Sequence, residues 1–218
     1  MTSPISRPRA QGAERWRGVA RRMRVPLGFV TAAIYLLVAA TRQPHPIAIA
    51  WSLVLVVPGL ALRAVASGTV KKNRELTVTG PYAYTRNPLY LGSTLIAAGF
   101  ALALMSWPVA LLLAAGFAAI YVPVIAGEER FLADTFPAFA GYRRHVPRFL
   151  PRLTAYKAQD GQDLAGVSQA VTSASASGFS LELYRKHREY NAAVGAVLLY
   201  LCLLFLWPVL EHLRHWIW

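Results

Sequence analysis

The chain has 218 residues, of which 56% are hydrophobic and only 15% charged, yet its formal net charge is +13. A water-soluble domain averages about 45–50% apolar and about 25% charged residues, so the missing charge excludes an ordinary soluble fold and argues for a lipid-facing surface. The basic residues flank apolar blocks and build no separate domain able to dock on a duplex, which argues against nucleic acid as a partner.

In chain order, the first 24 residues form a basic segment with Arg7, Arg9, Arg15, Arg17, Arg21, Arg22 and Arg24. It is too long and arginine-rich, with no small-residue cleavage site behind the next apolar run, to be expected as a cleavable signal. Leu27–Ala40 is the first apolar block, and the short Thr41–His45 joins it to the second, Pro46–Leu62. The polar stretch Arg63–Asn87 follows, rich in Pro, Tyr, Thr and Arg. Pro88–Gly127 is free of charge and long enough for two crossings, with a break at Ser106-Trp107-Pro108. Glu128–Pro151 is dense in aromatic and charged residues, whereas Thr154–Ser180 is Gln, Ser, Ala and Gly with few apolar anchors and reads as a linker. Ser180–Tyr190 reads as an amphipathic lead-in to a last apolar block, Asn191–Leu210. A helix needs about 20 apolar residues to cross a hydrocarbon core of about 30 Å, which each block approaches with its flanks. The expected architecture is an all-α polytopic membrane protein of about five transmembrane helices, two hairpins plus a C-terminal span. Its expected parts are a basic segment 1–24, a membrane core 25–153, a linker 154–180 and a C-terminal unit 181–218.

With five crossings, 21 of the 23 Lys and Arg residues share one face, and only Arg42 and Arg214 fall on the other. The positive-inside rule then places the N-terminus and the long polar segments in the cytoplasm, with the charge also attracting anionic membrane lipids.

Two constellations could carry chemistry. In Arg74–Gly92, Gly80-Pro81 signals a turn. Pro88 suits a first helical turn, and Asn87 before it is expected as an N-cap. Tyr90 then lies one turn inside, near Arg86 and the free N–H groups of the helix start, an arrangement that favours an anionic group such as a carboxylate. The same residues would also serve as a plain interfacial anchor. The second constellation is Gly127-Glu128-Glu129-Arg130-Phe131-Leu132, because acids at a membrane boundary are costly unless paired or hydrated. Further on, Tyr142-Arg143-Arg144-His145-Val146-Pro147-Arg148 would close over a ligand held by the first loop or rest on headgroups. The five histidines are scattered over both faces, so no metal site is expected, and the single Cys202 sits in an apolar block, unsuited to a thiolate nucleophile.

At GPYAYTRNPLYLG (80–92), GEERFL (127–132) and TFPAFAGYRRHVPRFLP (135–151) the chain resembles the isoprenylcysteine carboxyl methyltransferase family, and more distantly the phospholipid N-methyltransferases. The resemblance runs from about Arg63 to Leu153. It implies S-adenosyl-L-methionine as methyl donor at the cytoplasmic helix ends and a lipophilic or lipid acceptor entering from the bilayer. By position it implies Glu75, Leu76, Thr77, Tyr82, Asn87, Pro88, Leu89 and Tyr90 as lining of the cofactor pocket. It likewise puts Arg86, Glu128 and Glu129 at the reacting end. Asn87 stands where the family motif has His, and Val124 where the prenylcysteine enzymes have Arg, so a prenylcysteine carboxylate is not the expected acceptor. The expected activity is methyl transfer to a small lipophilic carboxylate, thiol or amine. The rival readings are a phospholipid N-methyltransferase, a NADPH-dependent sterol-type reductase and a non-catalytic membrane scaffold.

Overall fold

A computed structural model describes residues 30–41, 44–70, 76–157 and 179–217. The elements are helices α1 (Val30–Ala40), α2 (Pro46–Thr69), α3 (Pro88–Ala103), α4 (Trp107–Thr135), α5 (Phe139–His145), α6 (Leu181–Lys186) and α7 (Tyr190–Ile217), with a 3₁₀ turn over Gly80–Ala83. No strand occurs among the described residues. The all-α membrane architecture is borne out: α2, α4 and the Tyr190–Val209 part of α7 are long and apolar enough to cross a membrane, while α1 and α3 are shorter apolar helices.

The starts follow from sequence. Proline occupies the first turn of α2, α3 and α4, where its missing N–H removes only a donor that has no helical partner. Between α3 and α4 the chain turns at Leu104-Met105, with Met105 at φ 44°, just ahead of the expected break. The helix built on the second apolar block does not stop with it at Leu62, because α2 continues to Thr69 and takes in Arg63. A guanidinium on a three-carbon stem can lie along apolar surface while its head reaches polar partners, so one arginine does not stop the helix.

The packing between α2 and α3 rests on small residues. A Cβ added at Gly92 would meet the Gly59 carbonyl oxygen at 2.7 Å, and one at Gly99 would meet the Ser52 carbonyl oxygen at 2.9 Å. Such small-residue faces let membrane helices approach closely, where lipid supplies no hydrophobic drive for association. The Tyr35 hydroxyl donates to the Phe100 carbonyl at 2.9 Å, tying α1 to α3. The Ser52 and Tyr200 hydroxyls, 2.7 Å apart, tie α2 to α7. Tyr35, Val56, Phe100, Val109 and Leu203 close the core between these helices.

A second apolar cluster, Val78, Ala83, Phe139, Tyr142, Val146 and Tyr156, sits beneath the polar loops. There the 79–87 loop and the 146–156 segment are stitched together by the backbone. Arg86 N–H donates to the Pro147 carbonyl at 3.0 Å, Arg152 N–H to Tyr84 at 2.9 Å and Tyr156 N–H to Ala83 at 3.0 Å. Gly80, at φ +59°, supplies the left-handed residue that lets this loop begin. Of the expected linker 154–180, residues 158–178 lie outside the described residues. The lead-in resolves into α6 and a turn at His187–Glu189 in which Arg188 adopts φ 53°.

Candidate active site

α4 carries Glu128 and Glu129 beyond its apolar part, within its last two turns. Successive helical residues point about 100° apart, so the two acids meet different partners. The Tyr90 hydroxyl, from the first turn of α3, donates to Glu128 Oε1 at 2.8 Å. Glu129 lies between two arginines. Arg86 Nη1 stands 3.0 Å from Glu129 Oε1, and Arg148 donates to Glu129 Oε2 from Nε at 3.0 Å and from Nη2. Arg86 and Glu129 are both nearly buried, each side chain 11% exposed, whereas Arg148 is open to its surroundings. Burial lowers the proton affinity of the Arg86 guanidinium, opposed by the charge of Glu129. Arg148 shifts the other way, its hydrogen bond to Glu129 favouring the charged form.

Arg86, Tyr90, Glu128 and Glu129 line one cavity of about 240 Å³, together with Arg63, Val70, Leu76, Thr77 and Tyr82 from α2 and the loop after it. The rest of the wall comes from Asn87, Pro88 and Leu89, from Phe131, Leu132 and Tyr142, and from Glu189. The structure thus brings together every residue that the family resemblance singled out except Glu75, which lies outside the described residues. The 142–148 segment folds over the first loop: the Tyr142 hydroxyl donates to the Tyr82 carbonyl at 2.7 Å, and Asn87 Nδ2 to the Arg148 carbonyl at 2.8 Å.

That second bond corrects one expectation. Asn87 occupies the N-cap position of α3 but its side chain makes no capping bond. The Arg148 carbonyl claims its amide, so Asn87 joins the two loops instead of closing the helix end.

Sequence reasoning also missed Arg63 and Glu189. Arg63 Nη2 donates to Glu189 Oε2 at 2.6 Å across 126 residues of chain, and its Nη1 donates to the Ser93 hydroxyl. Only the charge of Arg63 at the end of an apolar block signalled it, and nothing local marked Glu189.

Burial raises the pKa of the Tyr82 and Tyr142 hydroxyls, desolvation being the largest cause for each. A raised value in the fold means that the unfolded chain releases the proton first as pH climbs past about 10. The stability these hydroxyls contribute is complete below pH about 10 and is lost above it. Tyr142→Phe is expected to flatten the alkaline fall in melting temperature of the detergent-solubilised protein; an unchanged alkaline limb would remove Tyr142 as its source.

A second, larger space of about 860 Å³ runs between α3 and α4, walled by residues such as Ala98, Leu102, Trp107, Phe117 and Val122, with Tyr121, Arg148 and Phe149 at one end. Arg148 therefore stands between this apolar groove and the ion-paired Glu129 of the polar cavity.

Residues 48–138 match the family model described as phospholipid methyltransferase, which bears out the resemblance read from the motifs. The cobalt-zinc-cadmium resistance protein CzcN of Cupriavidus metallidurans is 43% identical over 89 residues, covering 41% of each chain. The nickel-cobalt-cadmium resistance protein NccN of Alcaligenes xylosoxydans xylosoxydans is 37% identical over 89 residues, 41% of this chain and 42% of that protein. The chain thus spans about two-fifths of the length of these curated relatives. No solved structure matches.

Proposed function

We propose that this membrane protein is an S-adenosyl-L-methionine-dependent methyltransferase that modifies a small lipophilic acceptor at the cytoplasmic membrane boundary. The observation that carries this reading is the convergence of Tyr82, Arg86, Asn87, Leu89, Tyr90, Glu128 and Glu129 on one cavity within a stretch like the phospholipid methyltransferases.

The cavity's chemistry suits a small ligand that carries charges of both signs. Its charged lining is two arginines against three glutamates. Arg86 Nε and Nη1 and Glu129 Oε1 are buried without a hydrogen-bond partner, although Arg86 and Glu129 form an ion pair. With Nη1 and Oε1 facing each other at 3.0 Å, Arg86 Nε is the buried donor left for a ligand's carboxylate, where leaving its bond unmade is costly. Leu76, Pro88, Leu89, Phe131 and Leu132 supply apolar wall. S-adenosylmethionine would bring an electrophilic methyl group on a sulfonium. Arg86, held by Glu129, would orient the ligand's carboxylate, and Glu128, fixed by the Tyr90 hydroxyl, would offset its positive charge. Positioning of this kind supplies most of what a displacement needs from a protein. Arg148 would divide the donor cavity from an acceptor chain lodged in the apolar groove.

Calorimetric titration into the detergent-purified protein is expected to give micromolar binding of S-adenosylmethionine and of its demethylated product, with no heat from NADPH. Binding of NADPH alone would move the assignment to a sterol-type reductase, and silence from all three would favour a scaffold. An alkaline optimum for turnover would indicate an amine acceptor, as in phospholipid N-methylation, because the amine must be deprotonated to attack. The relatives' names tie those proteins to cobalt, zinc, cadmium and nickel resistance. A role for this chain in tolerance to such metals is compatible with methylation of a membrane component.

A further inference from the structure

Glu189 is the cavity-lining residue contributed from beyond the 158–178 stretch, outside both the family-matched residues and the motifs. Its placement is built by several independent contacts. Ser180 N–H donates to the Gly68 carbonyl at 2.9 Å, docking the start of α6 on the end of α2. The Phe179 ring lies against Gly68, where a Cβ would collide with it. His187 Nδ1 lies 2.9 Å from the Ser67 carbonyl oxygen. Arg188 then takes a left-handed conformation at φ 53°, unusual for a residue other than glycine, and ends the α6 segment just before α7. Past this turn Glu189 reaches Arg63 at 2.6 Å, both side chains nearly buried at 13% and 15% exposure.

Arg63 is in turn bound to α3: its Nη1 donates to the Ser93 hydroxyl and, at 3.5 Å, to the Leu89 carbonyl. Leu89 is itself part of the cavity wall. Glu189 therefore faces a guanidinium that touches the first turn of the helix carrying Tyr90. With Arg148 bonded to Glu129, three guanidiniums face three carboxylates around the cavity, and without Glu189 the balance would turn positive, against a cationic ligand.

We propose that Glu189 is a positioning residue that sets the charge preference of the cavity. By neutralising Arg63 it makes the site select a cationic ligand over a neutral one of the same shape. The inference rests on the methyltransferase reading, under which the cationic ligand is the sulfonium donor and the neutral one its thioether product. Preference for the donor over the product would then come in part from the C-terminal unit, and would help a spent cofactor leave.

The test is the ratio of affinities for S-adenosylmethionine and S-adenosylhomocysteine, measured by calorimetry in the full-length wild type, Glu189→Gln and Glu189→Asp. Because charges in a partly buried site interact through a low effective dielectric, Glu189→Gln is expected to weaken donor binding about tenfold relative to product binding. Glu189→Asp, which keeps the charge, should restore the ratio. Equal weakening of both ligands, or an unchanged ratio, would make Glu189 a purely structural strut and overturn the proposal. A wild-type protein that binds neither ligand would instead remove the methyltransferase reading and the proposal with it.

Discussion

Glu129→Ala is expected to weaken S-adenosylmethionine binding by about a hundredfold while leaving the helices folded. Glu129 alone separates two guanidiniums, Arg86 and Arg148, with Arg86 buried at its side. Truncating one member of a buried, hydrogen-bonded charge pair at a binding site typically costs on the order of 3 kcal/mol of binding free energy, which is about two decades of affinity. The loss should fall on the ligand site more than on the fold, because α4 is anchored along its apolar length through residues such as Val109, Val124 and Ile125. Calorimetry of the variant, with far-UV circular dichroism as a control for helix content, separates the two. Wild-type affinity in Glu129→Ala would remove this residue from the site; a collapse of the helical signal would make it a folding residue.

Gly92→Leu should have the largest effect on the fold. A Cβ at Gly92 would sit 2.7 Å from both the Gly59 carbonyl oxygen and Arg63 Cγ, so α2 and α3 would have to part. Forcing extra atoms into a packed contact costs about 1–3 kcal/mol, and here the obstruction is partly backbone, which cannot rotate away. The variant is expected to melt several degrees below wild type in detergent, at about 2–4 °C per kcal/mol for a chain of this size. It should also lose ligand affinity, since α3 carries Tyr90 and Arg63 bonds to Ser93. Gly116→Leu is the control, because nothing lies within 4 Å of a Cβ placed there. Equal melting temperatures for wild type and Gly92→Leu would contradict the close packing of these helices.

Much of this was legible in the chain itself. Blocks such as Pro46–Leu62 and Pro88–Gly127 lack charge for most of a bilayer's thickness, and prolines at 46, 88 and 108 mark where helices begin. The turn at Gly80-Pro81, the arginine at 86 and the acids at 128 and 129 stand at the edges of those blocks, where polar groups must find partners. Local signals could not say which partners. Asn87 has the side chain of an N-cap, but the Arg148 carbonyl, 61 residues away, takes its amide. Arg63 looked like the end of a span, yet Glu189, far along the chain, and Ser93 hold it inside α2's continuation. Competition between a local bond and a distant one is settled only by the packed structure, which is why helices were easier to foresee than the ion pairs between them.

The most direct test of the methyltransferase account is transfer of an isotope-labelled methyl group from S-adenosylmethionine by the protein reconstituted into native-lipid vesicles. The account predicts label in the organic extract that depends on the protein and disappears in Glu129→Ala. An extract without label from wild-type vesicles, under conditions where the donor binds, would contradict it.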